Sequence, residues 1–164
     1  VSPRPPLLAT ALGVALLLSG CASAPAPESR APEGDPIAAA RALPDAGGIV
    51  SIGDATGTCG EYVLEQGEEL PAEAGACLVD ASARGEAAEL AWSTPTSEGD
   101  PIVSFAFVGG TATRLLVYTT RAFDRHSGLE EPLSPGEGES WTGHACDDPA
   151  DLLGTGDCDP LVEG

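Results

Sequence analysis

PIVSFAFVGGTATRLLVYTT, residues Pro101 to Thr120, consists of two apolar runs rich in β-branched and aromatic residues, joined by Gly109 and Gly110. Glycine enters the left-handed backbone region without steric cost, so a Gly-Gly pair between two such runs predicts a tight β-hairpin. Pairing Val108 with Thr111 sets Val103, Phe105, Phe107, Ala112, Leu116 and Tyr118 on one shared face. Arg114 then falls opposite Phe105, which makes that face a core with a charged rim.

A sheet face this apolar needs further strands and a cover. AAELAWST (87–94) alternates and predicts a third strand with Ala88, Leu90 and Trp92 on one side. Upstream, LPAEAGACLVDASA (70–83) changes period. Leu70, Ala74, Cys77, Leu78 and Ala81 recur at helical spacing, Pro71 suits a first turn, and Glu73 lies near the positive end of the dipole. A helix is predicted over 71–82, with Gly85 ending it. EYVLE (61–65) reads as another strand, Ile49 to Ile52 as a short opening strand, and SWTGHAC (140–146) as the last one, after a loop rich in Gly, Pro and Glu at 127–139. The expected fold class is α+β: one helix packed on a four- to five-stranded, mainly antiparallel sheet. Pro36 to Leu43 has the pattern of a short helical turn.

Five cysteines punctuate the chain. Cys59, Cys77, Cys146 and Cys158 form an even set, which in an exported domain implies two disulfides with three possible pairings. Cys59 precedes a strand and Cys77 sits on the helix after it, which favours Cys59–Cys77 with Cys146–Cys158; a Cys59–Cys146 bridge is the rival. No CxxC occurs, which argues against a thiol–disulfide exchange site.

The fifth cysteine belongs to a different context. Leu7 to Ser19 is an almost unbroken apolar run of 13 residues after a single positive charge at Arg4. As a helix it would reach about 20 Å, short of the roughly 30 Å of a bilayer core but right for the apolar part of a signal peptide. Leu18-Ser19-Gly20-Cys21 resembles the bacterial lipobox, which implies a diacylglyceryl group on the Cys21 thiol and cleavage before it. The expected organisation is a lipoprotein signal peptide at 1–20, an Ala/Pro-rich tether at 21–46 and a disulfide-bonded domain at 47–164, anchored at the extracytoplasmic face of the cell membrane.

Composition closes several functions. Of 164 residues 26 are acidic and seven basic, a net charge of −19, so no basic patch for nucleic acid can be assembled. The chain has no lysine, which removes a Walker A loop, an SxxK acylating serine and a Schiff-base amine. No GxSxG elbow frames any serine for catalysis with His126 or His144, and no catalytic residue is assigned. His144 and Cys146 are too close on a strand to chelate one ion well. The acidic tail CDDPADLLGTGDCD (146–159) puts Leu or Ala where calcium ligands should stand, so neither a metal nor a cofactor is expected.

The segment TSEGDPI, Thr96 to Ile102, followed by the hairpin and by YTTRAFDRHSG (118–128), resembles a family of small bacterial lipoproteins of unknown function with a TEGDPI-like motif. Ser97 through Ile102 carry the match; Thr119, Thr120, Asp124 and Gly128 follow it loosely, and His126 stands where the family tends to have an aromatic. The resemblance implies a lipoprotein and no activity. Two readings of the motif stay open. In one, Gly99 supplies a turn, Asp100 accepts backbone hydrogen bonds and Pro101 starts a strand. In the other, Glu98 and Asp100 with Arg114 or Arg121 form a polar recognition cluster. A weaker likeness, through the Cys59 to Cys77 interval and AGACLVDA, is to secreted inhibitors of subtilisin-type proteases, although Ala87 to Thr94 lacks the cysteine that would clamp a reactive loop. The expectation is a monomeric envelope lipoprotein, a binding or structural module for an unknown protein or small ligand. A membrane-tethered protease inhibitor is the alternative, and a hydrolase the third reading.

Overall fold

The computed structural model describes residues 31–53, 57–110, 112–127, 141–150 and 158–161. Cys21, the segment expected to be a signal peptide and most of the expected tether lie outside them. The elements are α1 (Pro36–Arg41), α2 (Gly47–Gly53), β1 (Gly57–Val63), α3 (Ala72–Arg84), β2 (Ala88–Pro95), β3 (Pro101–Gly109), β4 (Ala112–Thr120), β5 (Trp141–Cys146) and β6 (Cys158–Pro160). They build an α+β domain on a six-stranded sheet ordered β1-β2-β3-β4-β5-β6.

The order follows the chain because every connection but one is antiparallel. The exception is β1 and β2, which run parallel and are linked across α3. The helix predicted at 71–82 is α3; its Ala74, Cys77, Leu78 and Ala81, with Leu70 just before it, join one apolar cluster with Leu90, Ala106, Val108 and Leu115. Gly85 ends it in the left-handed conformation with φ 69°. The favoured disulfide pairing is formed, Cys59–Cys77 tying β1 to α3 and Cys146–Cys158 tying β5 to β6.

Four expectations are corrected. The sheet has six strands rather than four or five, because three residues at Cys158 pair with β5 beside the second disulfide. Ile49 to Ile52 is helical, within α2, where an i, i+3 pair puts Ile49 and Ile52 against the sheet. The segment assigned to the tether contains α1, capped by Asp35 accepting from the Ile37 N–H at 2.9 Å, and its Ile37 and Ala40 are buried in the core.

The fourth correction concerns register. Phe105 stands opposite Tyr118 and Phe107 opposite Leu116, with an irregularity between Phe107 and Gly109. The shift from the simple pairing is even, so Val103, Phe105, Phe107, Leu116 and Tyr118 still share a face. Arg114 moves away from Phe105 altogether. Gly109 and Gly110 both take positive φ, and a Cβ on Gly109 would come within 2.3 Å of the Glu86 carbonyl oxygen, a close approach that only glycine allows.

The sheet is covered on both faces. Opposite α3, helices α1 and α2 pack on Val103, Phe105, Phe107 and Phe123. That is why β3 is buried from Val103 to Val108 without alternation. Arg41 at the end of α1 completes the cover: it bonds to Glu61 on β1 and to the buried Glu89 on β2, and its guanidinium lies 4.6 Å from the Phe105 ring centroid. Burial works against that charge, but the hydrogen bonds to Glu89 and Glu61 outweigh it and raise the Arg41 pKa.

Candidate functional site

Two regions bear on function. The first is built from the segments that flank the hairpin. Before β3, the Thr96 N–H donates to the Asp100 carbonyl at 2.8 Å, the Gly99 N–H to the Thr96 carbonyl at 3.0 Å, and the Asp100 N–H to Thr96 Oγ1 at 3.1 Å. Gly99 takes φ +88° to close this turn. Asp100 is therefore turned inward, its side chain only 1 % exposed.

After β4, buried Thr120 accepts the Ala122 N–H at 3.2 Å, and Asp124 accepts the His126 N–H at 2.8 Å. These two caps aim Arg125 back at Asp100. Its Nε and Nη2 each reach a different carboxylate oxygen at 2.8 Å, and its backbone N–H adds a third bond at 3.1 Å. The Arg125 hydrogen bond holds the Asp100 carboxyl below its ordinary pKa although burial pushes the other way, and the same bond raises Arg125. EGDPI and TTRAFDRH are thus joined by one buried ion pair. Thr120→Val, which keeps the shape and removes the acceptor, is expected to lower stability by about 1 kcal/mol, read as a shift in denaturant midpoint.

The expected recognition cluster is not assembled in this form. Glu98 and Asp100 share the turn, but Glu98 is exposed and accepts from the Ser97 hydroxyl at 2.9 Å, a bond that lowers its pKa. Arg121 is exposed. Arg114 lies six residues along β4 from Thr120, roughly 20 Å away. There it pairs with Asp159 on β6 at 2.9 Å and with Asp147 at 2.7 Å, and the Asp159 bond chiefly raises its pKa. Arg125 takes the place sequence reading gave to Arg114 or Arg121. The sequence narrowed the choice only in part: in a chain without lysine, a buried Asp100 can pair only with one of the seven arginines or two histidines.

The second region is a cleft of ≈ 710 Å³ between α2 and the β4–β6 end of the sheet. Trp141 and Tyr118 supply aromatic walls, Ile49, Ile52 and Leu161 aliphatic ones, and Asp45, Thr142 and His144 a polar margin. The indole ring rests 5.7 Å from Phe105, centroid to centroid, and its Nε1–H donates to Asp45 Oδ1 at 3.2 Å. Gly143 also lines the cleft: a Cβ there would meet Leu161 Cδ1 at 2.9 Å, and the Leu161 N–H bonds to the Gly143 carbonyl at 2.8 Å. Its volume and its mostly apolar lining with a few polar groups fall within the range of ligand pockets.

His144 borders the cleft, while Cys146 is spent in its disulfide and is no metal-binding thiolate. Among the described residues no group of three or more His, Cys, Asp and Glu side chains is placed to hold a metal ion, and no helix is long and apolar enough to cross a membrane.

No protein-family model, curated protein or solved structure matches the chain. The cleft and the ion pair carry the functional reading on their own geometry.

Proposed function

We propose that the protein is an exported lipoprotein, held by acyl chains on Cys21 at the outer face of the cell membrane, whose folded domain binds a small ligand. The observation that carries the binding reading is the cleft walled by Trp141 and Tyr118, with Asp45 at its margin. Export is supported by the two disulfides, which belong to an oxidising compartment, and by the Leu18-Ser19-Gly20-Cys21 motif.

Under this reading the 97–102 segment, which resembles a TEGDPI-like motif, is a structural turn rather than the contact surface. What supports that is the burial of Asp100 and its complete engagement by Arg125.

Each half has its own test. Cys21→Ala is expected to abolish acyl labelling and release the protein from membranes; a membrane-bound, acyl-labelled variant would end the lipoprotein reading. For binding, a fragment set with cationic, neutral and anionic members is titrated while backbone amide shifts are followed. Shifts clustered on Ile49, Tyr118, Trp141 and His144 are the expected result. Shifts confined to other surfaces, or none, would overturn the site.

A further inference from the structure

We infer that the cleft selects a small soluble organic ammonium ion: a cationic nitrogen carrying an apolar body. This rests on the binding reading above and adds the ligand's charge and class.

Three observations converge. Among the described residues the lining contains a carboxylate, Asp45, and no arginine, in a chain that has no lysine and a net charge of −19. Anions are repelled both locally and at a distance, while cations are concentrated toward the surface. Second, the walls that could receive a desolvated group are Trp141 and Tyr118. Aromatic faces attract cations within about 6 Å of the ring centroid, and the indole is the strongest of them.

Third, the Trp141 Nε1–H donates to Asp45 Oδ1, so the negative charge is bonded to the edge of an indole that lines the cleft. Donation to a carboxylate polarises the indole and increases the electron density of its π face, and the 50° contact with Phe105 holds the ring in place. A cation resting on that face gains from the quadrupole and from the carboxylate together. The rest of the cleft asks for an apolar body, because Ile49, Ile52 and Leu161 offer no hydrogen-bonding side chain. A hydrated metal ion leaves those walls unsatisfied; an alkylammonium does not.

The experiment compares choline with 3,3-dimethyl-1-butanol, which has nearly the same shape and no charge, by calorimetry and amide-shift titration on the intact protein. Choline is expected to bind about tenfold more tightly than its isostere. Asp45→Asn keeps an oxygen to accept the indole N–H but removes the charge, and should bring the ratio close to one. Trp141→Leu should weaken choline more than the alcohol. Equal binding of the two probes at the cleft would overturn the charge selection and leave the binding site standing. Absence of cleft shifts with either probe and with every member of the fragment set would overturn both.

Discussion

Phe105→Ala is expected to destabilise the domain by about 3–5 kcal/mol, the largest effect of any single substitution proposed for this chain. Phe105 is 1 % exposed at the centre of β3, and its ring faces three partners at once: Phe107 at 6.5 Å, Trp141 at 5.7 Å and the Arg41 guanidinium at 4.6 Å. Truncation removes the transfer free energy of a whole ring and leaves a cavity that the sheet, pinned on both sides, cannot collapse into. It also takes the backing from Trp141 and the aromatic seat from Arg41. The loss should therefore appear in urea denaturation as a lower midpoint, and in the folded state as altered indole fluorescence. Phe105→Leu keeps most of the volume and should cost clearly less.

Asp100→Ala is the second large effect, expected at about 2–3 kcal/mol. Breaking a buried ion pair from one side strands the other charge, which commonly costs 3–5 kcal/mol, but about a quarter of the Arg125 side chain is exposed and water recovers part of it. The pH dependence fixes the sign. The folded-state pKa of Asp100 is depressed below its ordinary 3.8, so the pair's contribution is fully present above that value. It is lost as pH falls below 3.8 toward the depressed folded pKa. In urea titrations the gap between wild type and Asp100→Asn should be constant near pH 6 and close below about pH 4. Glu98→Gln, on the exposed side of the same turn, should leave the midpoint unmoved. That contrast separates a structural turn from a recognition cluster.

The hairpin, α3 and both disulfides were legible because each is encoded locally. Gly109-Gly110 marks a turn, a five-residue face repeats at 3.6 over 70–81, and each disulfide closes a short stretch of chain. What escaped was encoded by contacts across the fold. Helix α1 falls where a short helical turn was expected, but neither its burial nor the helical state of α2 showed: they span six and seven residues, and each presents a single apolar i, i+3 pair, Ile37 with Ala40 and Ile49 with Ile52. The run from Val103 to Val108, apolar except for Ser104, was the one available sign that the sheet is covered twice. The irregularity near Gly109 has no sequence marker, so the register of β4 came out displaced while its faces were right. β6 is held by the Cys158 bridge and by Arg114 to Asp159 rather than by any pattern of its own.

The candidate site was less legible still. Asp45 and Leu161 lie 116 positions apart in the chain, and only the packing of α2 against the end of the sheet brings them to one cleft. Trp141 looked like the start of a strand, which it is. Its role depends on Phe105 behind it and Asp45 at its edge, neither of which a linear reading connects.

The most direct measurement is a crystal structure of the protein with choline. The trimethylammonium group is expected over the Trp141 face beside Asp45, with the Asp100–Arg125 pair unchanged. Choline bound elsewhere, or a cleft left empty at saturating concentration, would contradict that placement.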